Sequence, residues 1–586
     1  MAHKIEILSH GRIIKAKEKE VLADAIHRAG IPLSLYCDKR GLCGKCFIEI
    51  LRGPRPPLGE KEEFWVKQKT LGKNYRLACQ YRVSKDLVIN VPALFTSRAA
   101  PVLPAIPRSA FPPDPAVKKY FLEVEAPDIV SPHSLFDKLV ENLGSRHLDI
   151  PVEVLNALGR TLAKGRHKVT VTVYREKEIL AVEPGNTIDQ NFGLAVDIGT
   201  TTLVMDLVDV NFGKTLDTVA ALNNQVTRGA DVISRIAYAT LAPQNAVELR
   251  SVVLEALNGM IGRILAKNGL SPNSVYEVVV SANTTMNHLL LGIPVDTLAV
   301  APYHAVFSRL PALSARQVGF DVHPQGKVYL APNIKSFVGG DIASGLLAAR
   351  VSSKRENFLF IDLGTNGEIV LKAGPKLLAT STAAGPAFEG MNISCGMPAL
   401  PGAIYRAEEG RTIKTYTLGN TPSRGVCGTG LIDLVALFLK RGLISPRGTI
   451  RGSAKKIRVK RNIVFTQEDI RQMQLACAAI KTGIRMMLKA NHLAERDLHG
   501  IYIAGAFGNY LNIKNSMAIG LLPRVEERKL AFIGNSSLAG ARLLLISAPE
   551  RERIESLTQK VEYVSLAANH KFQEHFIKAL QFEPWP

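Results

Sequence analysis

The chain has 586 residues, 46% hydrophobic and 21% charged, which is enough for three or four domains with sizeable cores and excludes a disordered chain. No run reaches eighteen uninterrupted apolar residues, so no membrane span is expected. A formal net charge of +21 fits either a solvated basic face or electrostatic steering toward an acidic protein partner or a phosphate-bearing ligand. Nucleic acid is not expected, because the densest basic cluster, Lys455-Lys456-Ile457-Arg458-Val459-Lys460-Arg461, lacks the aromatic platforms of single-strand binders.

The first residues, Met1 to Ile7, begin like a strand and carry no apolar signal core. Segments 5–8 and 12–14 read as a hairpin around His10-Gly11, 21–26 as a short amphipathic helix, and 46–51 and 86–92 as strands. Between them stand Cys37, Cys43, Cys46 and Cys79, spaced C-x5-C-x2-C-x32-C. Three thiolates on one glycine-bearing loop and a fourth on a distant return strand form the ligand pattern of a [2Fe–2S] cluster. The loop is one residue longer than the plant-type spacing and resembles the adrenodoxin type. A four-cysteine zinc knot is the competing reading, but such sites usually come as two close C-x2-C pairs. Residues 1–93 are therefore expected to form a β-grasp ferredoxin domain. Cys395, Cys427 and Cys477 are left without an obvious partner, which fits a reducing cytoplasm better than a disulfide framework, and Cys427 and Cys477 are expected to pack in the core.

Prolines at 101, 104, 107, 112, 113 and 115 mark 94–116 as a stiff linker. Residues 117–190 follow as a small α/β middle domain, with strands near 119–124 and 168–174 and helices near 134–143 and 151–163. It holds no catalytic constellation and reads as a spacer or docking module.

From 191 to 586 the chain alternates strands, glycine-rich turns and helices. Two turns are near-copies: Val196-Asp197-Ile198-Gly199-Thr200-Thr201-Thr202 and Ile361-Asp362-Leu363-Gly364-Thr365-Asn366-Gly367. Each is a buried strand, Asp-x-Gly-Thr, then another strand, and the repeat argues for two similar lobes facing each other. Such a turn suits phosphate: glycine admits backbone amides, threonine hydroxyls donate, and the aspartate can hold Mg²⁺ through water. Strand 501–504 runs into a third glycine-rich turn at Gly505 and Gly508, where an adenosine could lie against bare backbone. The stretches 338–345 and 425–433 are glycine-rich helix starts that packing alone also explains.

The paired turns and the Gly505 turn resemble the acetate and sugar kinase/Hsp70/actin superfamily, a duplicated ribonuclease H-like α/β fold. With the cysteine pattern, linker and middle domain, the whole chain resembles the reductive activators of corrinoid proteins. The resemblance includes Gly229-Ala230-Asp231-Val232-Ile233-Ser234-Arg235-Ile236, Ala282-Asn283-Thr284-Thr285-Met286-Asn287-His288 and the stretch Ser381 to Gly390. It implies an ATP-hydrolysing activase that passes one electron from the [2Fe–2S] cluster to a corrinoid protein, returning Co(II) to Co(I) for methyl transfer. It also implies an external low-potential reductant and a homodimer. Asp197, Gly199, Thr200, Thr201 and Thr202 are then expected at the first phosphate and Mg²⁺. Asp362, Gly364, Thr365 and Asn366 are expected at the second phosphate loop, and Gly505 and Gly508 at the adenosine. Asp341 or Glu389 would orient the attacking water. Ser381, in a loop taken as 380–395, is a candidate transient cobalt ligand, with an ordinary turn serine as its alternative. His304 reads as a packing or hydrogen-bonding residue. Rival functions are electron donation to another low-potential metalloenzyme and a redox-sensing ATP-binding switch. A small-molecule kinase is disfavoured, because it needs no attached one-electron centre.

Overall fold

Apolar residues alternate along the first strands, and the pairing obeys that alternation. The computed structural model describes residues 2–29, 31, 46–60, 62–63, 74–91, 112–125, 133–144, 147–364, 366–453, 455–505, 511–566 and 571–585. Ala2–Ile7 and Arg12–Lys17 pair antiparallel with Ile5 opposite Ile14. Helix Leu22–Arg28 lays Leu22, Ala23, Ala25 and Ile26 into the core beneath them. The five-stranded sheet is completed by Leu87–Asn90, parallel to Ala2–Ile7, then Phe47–Arg52 and Tyr75–Leu77. Tyr75–Leu77 has only three residues, too few to show a period in sequence. Residues 92–111, most of the expected linker, lie outside the described residues.

The next unit is a three-stranded antiparallel sheet of Val117–Glu123, Lys168–Tyr174 and Glu178–Pro184, covered by helices Leu135–Asn142 and Val152–Lys164. Its third strand was not legible in sequence, because Ile179, Leu180 and Ala181 form a buried run rather than an alternation. Polar contacts fasten this unit to the rest of the chain. Arg551 and Glu277, both fully buried, pair at 2.8 Å, and Arg551 also reaches the Tyr174 hydroxyl at 3.4 Å. Lys327 pairs with Glu178 at 2.7 Å.

The rest is two lobes of one plan. In the first, Lys214–Leu222, Thr202–Asp209 and Phe192–Ile198 form an antiparallel meander, and Val275–Ala282 and Lys327–Leu330 add in parallel. In the second, Lys376–Thr382, Gly367–Ala373 and Phe358–Leu363 form the meander, and Gly500–Ala504 and Leu530–Gly534 add in parallel. The duplicated α/β architecture expected from the paired turns is thus present in these five strands of each lobe, and the sixth strands differ: Leu313–Ser314 adds antiparallel beside Lys327–Leu330, whereas Val561–Tyr563 adds parallel beside Lys376–Thr382.

The lobes exchange helices. Helix Gly340–Ala348 leaves the first lobe and buries Gly345 against Phe360 of the second. Helix Ser536–Ile546 leaves the second lobe and packs Leu545 over Gly193 of the first. Both helices share one apolar core with strands of both lobes. They touch at Gly540, where an added Cβ would stand 2.2 Å from the Ser344 carbonyl oxygen. The segment leaving the linker docks on the same helix: the Asp114 amide donates to the Ile546 carbonyl at 2.9 Å, and its carbonyl accepts from the Ala548 amide at 2.7 Å.

Gly540→Ala is therefore expected to destabilise the protein by about 1–3 kcal/mol through overpacking. Gly262→Ala, on a helix where a Cβ meets nothing within 4 Å, is expected to stabilise by about 0.5–1 kcal/mol. Denaturant unfolding of the two variants checks both signs.

Candidate functional site

A thiolate ligand needs a fixed backbone and a shielded setting. The ladder between Phe47–Arg52 and Tyr75–Leu77 puts Phe47 opposite Leu77, and the Ala78 amide donates to the Cys46 carbonyl at 2.9 Å. Cys46 and Cys79, with 32 residues between them in the sequence, thereby become neighbours across a sheet edge, and both are buried. The Gln80 side-chain amide donates to the Cys79 sulfur at 3.4 Å, a contact that favours the charged form of a sulfur ligand. These two positions fit an iron–sulfur cluster. Cys37 and Cys43 lie outside the described residues.

The second site is the cleft between the lobes, where each hairpin turn brings its aspartate forward. Gly199 closes the first turn, its amide donating to the Thr202 carbonyl at 3.0 Å; Gly364 closes the second, donating to Asn366 at 3.2 Å. These two glycine amides are used by the turns themselves. Thr200 and Thr201 are nearly buried, whereas Thr202 is exposed. Thr365 and Gly508 lie outside the described residues. Gly505 is described: at φ 107° it presses against the second turn, and a Cβ there would lie 2.7 Å from the Leu363 carbonyl oxygen and 3.1 Å from Asp362. It thus borders the second loop with bare backbone.

Side chains from distant segments complete the cleft. Asp197 accepts from Asn535 at 2.8 Å through one oxygen and from Ser537 at 2.7 Å through the other. Thr201 donates across the cleft to Glu389 at 2.5 Å. The Arg235 guanidinium, fully buried, donates to the carbonyls of Thr200 and Gly229 and to Gln225, and so fixes the first loop from behind. Asn283 donates to Thr200 at 3.2 Å. Sequence reasoning passed over Asn535, Ser537 and Glu368. The run Gly534-Asn535-Ser536-Ser537, a strand end followed by capping residues, was the available signal for the first two.

Strand register explains Glu368 and Ser381. Asp362, Glu368 and Ser381 stand side by side on three neighbouring strands, and Ser381 lies 3.5 Å from Glu368. Ser381 is the penultimate residue of strand Lys376–Thr382, not part of a loop, and its side chain belongs to this row. The expected loop therefore starts after Thr382. Asp341 sits in the first turn of helix Gly340–Ala348, accepting from the Ile342 amide at 2.8 Å.

Charge dominates this cleft. Burial, then the negative charges of Asp341, Asp197 and Glu389, push the Asp362 carboxyl up to about 7. Burial and the charge of Asp197 raise Asp341 as well, and burial with Asp341 and Asp362 raises Glu368 further. Asp197 is raised by burial, opposed by its bonds to Ser537 and Asn535. Among the described residues no three acidic, histidine or cysteine side chains converge tightly enough to hold an ion unaided. A hard cation would instead enter with phosphate and water, held by one or two of these carboxylates.

Other candidates resolve as structure. Helix Gly428–Lys440 begins against strand Ala403–Glu408, with Thr429 donating to the Tyr405 carbonyl, so the glycines at 425–430 serve packing. Cys427 and Cys477 are buried, and burial pushes the Cys477 thiol up to about 12. His304 is exposed, its amide bonded to the Thr297 carbonyl. The basic cluster becomes hairpin strand Lys456–Lys460, with Ile457 turned in and Arg458 and Lys460 turned out. Among the described residues no helix is long and apolar enough to cross a membrane.

Comparison with known proteins covers the chain from end to end. Profiles described as "2Fe-2S iron-sulfur cluster binding domain", "RACo linker region", "RACo middle region" and "C-terminal domain of RACo the ASKHA domain" match residues 5–84, 108–189, 192–354 and 356–584. The "Corrinoid activation enzyme RamQ" of Eubacterium limosum is 32% identical, over 97% of each chain. The "[Co(II) methylated amine-specific corrinoid protein] reductase" of Methanosarcina barkeri is 25% identical, over 67% of this chain and 77% of its own. A solved structure titled "Reductive activator for corrinoid,iron-sulfur protein" superposes with a TM-score of 0.76 at 32% identity, covering 99% of this chain and 98% of its own.

A raised carboxyl binds its proton more tightly in the folded than in the unfolded chain, so its charging opposes folding. Nucleotide-free protein is expected to lose stability as pH rises from the ordinary carboxylate range through about 7. Asp362→Asn is expected to flatten that slope, as read from unfolding midpoints between pH 5 and 8.

Proposed function

The chain belongs to the reductive activators of corrinoid proteins, and we propose that it uses ATP to pass one electron from an N-terminal [2Fe–2S] cluster to a corrinoid protein, returning inactive Co(II) to Co(I) for methyl transfer. The observation that carries this reading is the union, on one chain, of paired buried cysteines and a two-lobed cleft whose facing turns crowd carboxylates together. Neither half accounts for the other in a simple ferredoxin or a simple kinase.

Cys37, Cys43, Cys46 and Cys79 would hold the cluster, which supplies one-electron chemistry when bound. Gln80 steadies the Cys79 sulfur. In the cleft, Thr200, Thr201 and Thr202 belong to the first phosphate loop, and Asn366, with Thr365 before it in sequence, to the second. Asp197 and Asp362 would meet Mg²⁺ carried in by the phosphates, which would relieve the repulsion that raises Asp362 and Asp341. Gly505, with Gly508 beyond it, would pass the adenosine. Glu389, already tied to Thr201, is our choice for orienting water, because it belongs to one lobe and touches the phosphate loop of the other. Ser381 is assigned to the cleft beside Glu368 rather than to cobalt.

The Co(II)/Co(I) couple is very low, so electron delivery runs uphill and needs a linked free-energy source. ATP would supply it through conformation, the nucleotide state altering affinity for the partner in its two redox states. An external low-potential reductant would refill the cluster, and the working particle would be a cytoplasmic homodimer.

The test is a visible spectrum recorded without oxygen on reduced protein and a Co(II) corrinoid protein from the same source. The Co(I) band is expected to grow with Mg-ATP and not without it. Asp197→Asn should keep the cluster spectrum and slow that growth on the order of 100-fold. Intact cluster and ATP hydrolysis with no Co(I) would sink the proposal for that partner.

A further inference from the structure

The two crossover helices begin at equivalent places, yet they present opposite chemistry. The helix that enters the second lobe brings a carboxylate, Asp341, into the cluster of Asp362 and Glu368. The helix that enters the first lobe brings donors to Asp197 instead. Asn535 caps that helix, its carbonyl oxygen accepting from the Leu538 amide at 2.8 Å, and this fixes which way its NH₂ points: onto Asp197 at 2.8 Å. Ser537, 6% exposed, places its single proton on the other Asp197 oxygen at 2.7 Å. Its oxygen then accepts from Ser281, fully buried at 2.8 Å, whose hydroxyl also faces the Gly340 carbonyl at 3.2 Å. Ser281 belongs to the first lobe, Ser537 to the incoming helix, and Gly340 opens the other crossover helix.

We propose that Asn535 and Ser537 are positioning residues for ATP hydrolysis, clamping both oxygens of Asp197 so that it is aimed only when the crossover helix is seated on the first lobe. The proposal rests on the nucleotide reading of the cleft. Neither residue needs to touch nucleotide. Each acts through Asp197, and Ser281 keeps the Ser537 hydroxyl from turning away. Loss of the clamp leaves a carboxylate free to rotate about its side-chain bonds, which costs turnover rather than affinity. The arrangement also ties the aim of Asp197 to the helix whose far end, Ile546, holds the segment leaving the linker.

The experiment is a mutant cycle on the full chain, with ATP hydrolysis measured for wild type, Ser537→Ala, Asn535→Ala, Asp197→Ala and the double variants with Asp197→Ala. Each clamp variant is expected to lower kcat about tenfold to 100-fold while KM moves less than about twofold. Ser537→Thr, which keeps the hydroxyl, should recover most of the rate. Asn535→Asp, which sets two carboxylates face to face, should be slower than Asn535→Ala. The double variants should be no slower than Asp197→Ala alone, because the clamp has then lost its object. Additive losses, an unchanged kcat, or equal losses of rate and nucleotide affinity would overturn the proposal. If wild type hydrolyses no ATP, the proposed function falls and the clamp with it. If wild type hydrolyses ATP and the clamp variants leave kcat unchanged, the clamp alone is overturned and the proposed function stands.

Discussion

Each lobe of this protein depends on a helix that the other lobe sends across. Helix Gly340–Ala348 covers the second sheet and helix Ser536–Ile546 covers the first, and the two pass each other at Gly540 and Ser344 with no room for a methyl group. Burial of their apolar faces in one shared core means neither lobe completes its packing alone. Both helix starts are consequently delivered to the same cleft, one beside each Asp-x-Gly-Thr turn. The functional geometry is a product of that exchange.

What arrives at the two turns is chemically unequal. At the first, an amide and a hydroxyl satisfy Asp197, which opposes the cost of burying its charge. At the second, Asp341, Asp362 and Glu368 are left to repel one another, and their carboxyls rise toward the protonated form. One side is finished by protein and the other waits for positive charge. A nucleotide entering with a cation would therefore pull hardest on the second lobe, while the first holds its aspartate in place.

Much of this was legible in the sequence. The spacing of Cys37, Cys43, Cys46 and Cys79 marked a cluster domain, and the repeated Asp-x-Gly-Thr marked two lobes, because both are patterns within short windows. The short strand Tyr75–Leu77, which makes Cys46 and Cys79 neighbours, left no periodic trace. The reading of Ser381 as a loop residue failed because a glycine comes only at Gly385, three residues after the strand has ended at Thr382. Glu368 was not singled out, although the register sets it between Asp362 and Ser381.

The sequence by itself determined which patterns the chain carries: four cysteines in a cluster-type spacing, and two Asp-x-Gly-Thr turns each with its aspartate. It could do so because a turn or ligand loop is written in consecutive residues. Only the tertiary structure decided which groups face those aspartates. Asn535 meets Asp197 from 338 residues away, Glu389 meets Thr201 from 188, and Arg551 meets Glu277 at the seam with the middle unit. These meetings depend on how whole sheets and crossover helices pack, and local periodicity holds no record of that.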